Sequence, residues 1–85
     1  MAWMNTFNQS ANKNDLVGHK LNIRNIEPTA IGKGMFELYV FDETDGVNKA
    51  ICLTRRDITK IIQSKKMTFT FILPEGKEWA EVSTQ

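Results

Sequence analysis

The chain has 85 residues, of which 41% are hydrophobic and 25% charged, with a formal net charge of +1. This describes one domain near the lower size limit for unaided folding, too apolar to be disordered and too evenly charged to clamp phosphates over its whole surface. A single cysteine, Cys52, excludes an intrachain disulfide and no apolar run nears the length of a membrane span, so the expected setting is a reducing cytoplasm, away from membranes.

Residues 1–14 are dominated by Asn, Gln, Ser and Thr, with Trp3, Met4 and Phe7 embedded. Trp3, Phe7 and Ala11 have helical spacing, but the repeat is too short and its surroundings too polar to hold a helix. This segment therefore reads as a flexible arm whose aromatics either dock on the body or meet a partner. The body, residues 15–85, opens at Asp15-Leu16-Val17-Gly18. Residues 21–26 alternate, with Leu21 and Ile23 on one face and Asn22 and Arg24 on the other, and a bulge is expected near Ile26, where the alternation breaks. Pro28 and Ile31-Gly32-Lys33-Gly34 mark a loop.

Residues 35–42 give the strongest strand signal, with Phe36, Leu38 and Val40 on one face and Met35, Tyr39 and Phe41 on the other. Apolar residues on both faces predict a central strand, or one whose second face is covered by the arm or a partner. Glu43-Thr44-Asp45-Gly46 is a turn and residues 47–53 return antiparallel, with Val47, Ile51 and Leu53 facing one way. Cys52, inside this apolar run, is expected in the core. Thr54 then caps a helix ending near Ser64, Asp57 answers it as in a capping box, and Ile58, Ile61 and Ile62 supply the apolar stripe. Residues 67–73 alternate again, Pro74-Glu75-Gly76-Lys77 is a turn, and residues 78–82 form a last strand carrying Trp79. Five antiparallel strands with a helix between the third and fourth form the element string of an OB-type barrel, and an open, strongly twisted sheet on one helix gives the same string. The fold class is mainly β with one helix.

The residue inventory argues against catalysis. His19 is the only histidine, with no cysteine or acid at ligand spacing, and no nucleophile–base–acid set can be assembled around it. Gly32-Lys33-Gly34 lacks the rest of a phosphate-binding loop. No cofactor or metal site is therefore expected. Binding is the better reading. Tyr39 and Phe41, beside Lys20, Arg24 and Lys49, would suit stacked bases with phosphates nearby, Lys33 could close over a backbone, and Arg55 and Arg56 could meet phosphate or a partner's acids. Each of the two aromatics could equally be core. Charge is two-sided: residues 54–66 hold five bases against Asp57, while Glu37, Asp42, Glu43 and Asp45 make an acidic stretch without a base. Single-stranded nucleic acid, bound weakly, is the leading expected partner. The alternative is a protein partner met by the acidic hairpin, which could mimic nucleic acid, and by Trp3 and Phe7 of the arm. A homodimer through an edge strand is compatible with both.

The run from Asp15 to Ile23, then Ile26-Glu27, then Phe36 to Glu43, then Leu53-Thr54 leading into Asp57-Ile58, resembles a group of small bacteriophage-encoded OB-like proteins over residues 15–73. The resemblance is one of spacing and hydrophobic pattern, with no catalytic motif. It implies a phage or prophage origin, a compact OB-like body, and an accessory role beside replication or recombination proteins, as a nucleic-acid binder or an inhibitor used in host takeover. Arg55-Arg56-Asp57 departs from the polar, Asn-centred step of that group, as does the aromatic-bearing arm.

Overall fold

Period-two alternation of apolar residues builds a sheet with one filled face, and a single amphipathic helix covers part of it. The computed structural model describes residues 10–29 and 34–83. Strands β1 Ser10–Ala11, β2 Leu21–Pro28, β3 Met35–Asp42, β4 Val47–Thr54, β5 Thr68–Ile72 and β6 Glu81–Ser83 are joined by one helix, α1 Arg55–Ser64, between β4 and β5. They make one sheet in the order β1-β4-β3-β2-β5-β6, curled into a half-barrel. The mainly β class with one internal helix holds, while the five-strand, all-antiparallel expectation does not. The sixth strand, β1, runs parallel to β4, with Ser10 opposite Ala50 and Ala11 opposite Ile51. A two-residue strand leaves no periodic trace in a sequence, which is why residues 10–14 read as part of the arm.

The β2–β3–β4 meander is the backbone of the fold. Leu21, Ile23 and Ile26 lie opposite Asp42, Val40 and Leu38, and Leu38 and Val40 in turn oppose Ile51 and Lys49. These residues share the inner face with Leu53, Phe69, Phe71 and Val82, and α1 adds Ile58 and Ile61. The expected bulge is present but sits earlier, between Ile23 and Asn25. Ile62, expected in the helical stripe, points outward at 61% exposure, and Met67 lies outside β5 at 68% exposure. The last strand starts at Glu81 rather than at residue 78, because the Asn14 side chain takes over the backbone groups of Glu78 and Ala80.

The helix ends at Ser64 as expected, but its start differs from the sequence reading. Thr54 is the N-cap of α1 but its hydroxyl makes no capping bond. Asp57, buried in the first turn, instead accepts from Lys13 Nζ at 2.9 Å, tying the segment after β1 to the helix. At the other end Lys65 adopts the left-handed conformation (φ 57°), and its N–H bonds to the Ile62 carbonyl. In the β3–β4 hairpin only Gly46 has positive φ. Its turn is organised by the Asp42 carboxylate, which accepts from the Thr44 and Asp45 N–H groups, and by the Gly46 N–H on the Asp42 carbonyl.

Candidate binding groove

The half-barrel leaves β1 and β6 as its two end strands, and the seam between them is not zipped by a ladder. One side chain bridges it. Asn14, in the 3-10 turn Lys13–Leu16, accepts from the Ala80 N–H (2.6 Å) and donates to the Glu78 carbonyl (2.9 Å), so its amide imitates the donor–acceptor pair of a strand residue. Beside this clamp runs a groove of about 830 Å³. One wall is β1 and the end of β4, the other is residues 77–81, and the start of α1 closes one end. Met35, Leu53, Ala80 and Trp79 give it an apolar lining, with Trp79 61% exposed.

Charge around the groove is partly spent. Lys13 is paired with Asp57, and Lys60 with Glu81 at 3.3 Å. Arg56 and Lys77 make no ion pair among the described residues, and neither do Asp15 and Glu78. Arg56 and its exposed neighbour Arg55 stand at the β4–α1 junction, whereas Asp15 and Glu78 adjoin the Asn14 clamp. Cys52 is on the groove's β4 wall and exposed, contrary to the expected core position. Alternation puts it on the outer face opposite Glu37, and β1 ends one position too early to cover it.

The strand face expected to stack bases is built differently. Tyr39 and Phe41 do lie on the outer face, opposite Asn25 and Asn22 of β2. Tyr39 is buried, and burial together with the Glu37 and Glu27 carboxylates pushes its phenol above the usual range. A ring flanked by two acids is a poor platform for a polyanion. Phe41 is half-buried, with the Arg24 guanidinium 5.7 Å from its centroid, a cation–π contact within the chain. Lys49 is not on this face at all: its register opposite Val40 sends it inward. Lys20 is exposed, 3.9 Å from Glu43. Lys33, Trp3 and Phe7 lie outside the described residues.

The acidic hairpin is also largely spoken for. Lys49 Nζ sits 2.7 Å from Asp42 and 2.6 Å from Asp45, and His19 Nδ1 is 2.7 Å from Asp42. Burial pushes the Asp42 carboxyl up, but the bonds from Lys49, His19 and the Asp45 N–H more than offset it and hold it at about 2. Burial likewise works against the Lys49 ammonium, and its two carboxylates leave it raised. His19, Asp42 and Asp45 bring three potential ligand atoms within 4.8 Å of one another. The Lys49 ammonium already holds the position between the two carboxylates, so the trio works as an ion-pair knot with only Asp42 and Lys49 buried. Glu43 remains exposed and accepts from Asn22. Glu37 is half-buried beside Tyr39. An acidic mimic of nucleic acid is thus left with few free charges here.

Sequence reasoning missed Asn14, Trp79 and the pairing of Lys13 with Asp57, all of which depend on chain segments more than forty residues apart. Comparison with protein-family models, curated proteins and solved structures finds no match to this chain. Among the described residues no helix is long and apolar enough to cross a membrane.

Proposed function

We propose that this domain is a small, non-enzymatic accessory protein that docks on a protein partner through the seam groove. The carrying observation is the exposed Trp79 beside an apolar, charge-balanced groove between two strand ends. Exposed aromatics over an apolar floor are the usual anchors of protein contacts. Nucleic acid is the weaker reading for three reasons. Lys49 faces inward, Tyr39 is buried between acids, and the basic residues lining the groove are equalled in number by acids. The non-catalytic reading rests on the inventory, with the one histidine engaged by Asp42. The connectivity supports an OB-like ancestry: a three-strand meander, a helix, and a hairpin whose first strand returns to β2. In that frame β1 occupies the β4 edge. A cytoplasmic, phage-type adaptor or inhibitor follows from the sequence pattern and from this groove together.

The test is affinity capture from bacterial lysate with the wild type and Trp79→Ser, alongside an oligonucleotide anisotropy titration at two salt concentrations. Stoichiometric retention of one protein by the wild type, lost with Trp79→Ser while the melting curve is unchanged, is the expected result. Salt-sensitive oligonucleotide binding without protein capture would overturn the reading in favour of single-stranded nucleic acid.

A further inference from the structure

Parallel pairing of β1 with β4 stops at Ala11–Ile51, where the chain leaves for the 3-10 turn. Beyond that point residues 52–54 of β4 stay paired with β3. Their second edge has no strand on it among the described residues, and all three line the groove. The groove is therefore the continuation of β1's own lane. Backbone N–H and C=O groups along such an edge need partners, and an extended segment supplies them in the spacing of a ladder.

Resting on the protein-docking reading, we propose that the occupant is an extended segment of the partner, added to the β4 edge at residues 52–54 as a short extra strand. One of its apolar side chains covers Trp79 and Met35, and an acidic side chain meets Arg56 at the β4–α1 junction. Charge sets this end. The only acid in the first turn of α1, Asp57, is paired with Lys13, so Arg56 lines the groove beside the helix start without an ion-pair partner among the described residues. Main-chain pairing gives affinity and the alternate side chains give specificity, the recognised pattern of strand addition.

Cys52 supplies the reporter, because it is the only thiol in the chain and stands exposed on the edge in question. The probe is a set of short random peptides displayed on phage, selected on the wild-type domain and depleted on Trp79→Ser. Selected peptides should share an acid within a few residues of an aromatic or aliphatic side chain. At ten times its Kd such a peptide should slow alkylation of Cys52 about tenfold, the factor by which the free form is depleted. Methylation of the backbone nitrogens that face β4 should abolish binding, while methylation of the alternate ones should not. Arg56→Glu should select against the acid, with no change in melting temperature. Peptides that bind without slowing Cys52 alkylation, or that tolerate methylation at every nitrogen, overturn strand addition, as does failure to select any peptide. A captured protein that needs Trp79 yet leaves Cys52 equally reactive also overturns it, while leaving the docking reading intact.

Discussion

Asp42 gathers four side-chain hydrogen bonds at the start of the β3–β4 turn. It is completely buried, and it accepts from Lys49, His19 and two backbone N–H groups of its own turn. Its carboxyl is lowered from 3.8 to about 2. A folded-state value below the unfolded one means stability that is present above the unfolded pKa and is lost as pH falls through the folded one. The lowering corresponds to roughly 2 kcal/mol, retained at pH 5 and disappearing between about pH 4 and pH 2. Urea unfolding at a series of pH values should show that loss, and Asp42→Asn should flatten it while lowering stability at neutral pH. An unchanged acid slope in the variant would rule out Asp42 as the source. The sequence allowed Asp42 to be seen as part of an acidic stretch. It could not show the knot, because Lys49 had to be placed on the inner face by register before its charge could count against Asp42. The same inward turn removed Lys49 from the proposed nucleic-acid surface. For Tyr39 and Phe41 the outer face was legible from alternation, but the glutamates that crowd Tyr39 come from a neighbouring strand as well as its own.

At the scale of elements, those read well are the long ones. β3 and the helix follow the predicted bounds closely, since eight residues of alternation or three turns of amphipathic pattern overwhelm local ambiguity. β1 is not legible and β6 begins three residues later than expected, because two or three residues carry no period and the path into β6 is set by a side chain distant in sequence. Asn14 makes this testable. Asn14→Ala removes two hydrogen bonds and leaves the Ala80 N–H, partly buried, without its acceptor, at a cost of about 1–3 kcal/mol. Asn14→Asp keeps the acceptor and should retain part of that stability, which thermal melts of the two variants will order. The helix offers a contrasting case at its ends. Thr54→Ala should cost well under the ~1 kcal/mol usual for a cap, because the hydroxyl caps nothing. Lys65→Gly should stabilise by about 0.5–1 kcal/mol, since glycine accepts the left-handed φ of 57° without the Cβ penalty. Equal or lower stability of Lys65→Gly would mean that unfolded-state entropy outweighs the relief of strain.

Over the whole molecule, pairing is uneven, and the unevenness falls along the line where binding is proposed. The β2–β3 and β3–β4 ladders run nearly the full length of their strands, whereas β1, β6 and the β2–β5 junction are held over two or three residues each. Short ladders at solvent-facing edges open at lower free energy than a continuous buried meander. Native-state amide exchange should therefore resolve two levels of protection. Val40 and Ile51 should exchange only through global unfolding, while Ala80 and Val82 should exchange through a smaller opening of the seam. Asn14→Ala should lower the second level by the same free energy it removes from the clamp, and leave the first lowered no more than the global stability. A peptide seated on residues 52–54 should act in the opposite sense, raising protection on both sides of the groove by up to about 2.7 kcal/mol at one hundred times its Kd. If every amide, from Val40 to Val82, exchanged at one common level, the seam would not be a separate unit. A partner would then meet a rigid groove and not one that opens to receive a strand. The length of each ladder thus decides which part of this small domain is scaffold and which part is free to bind.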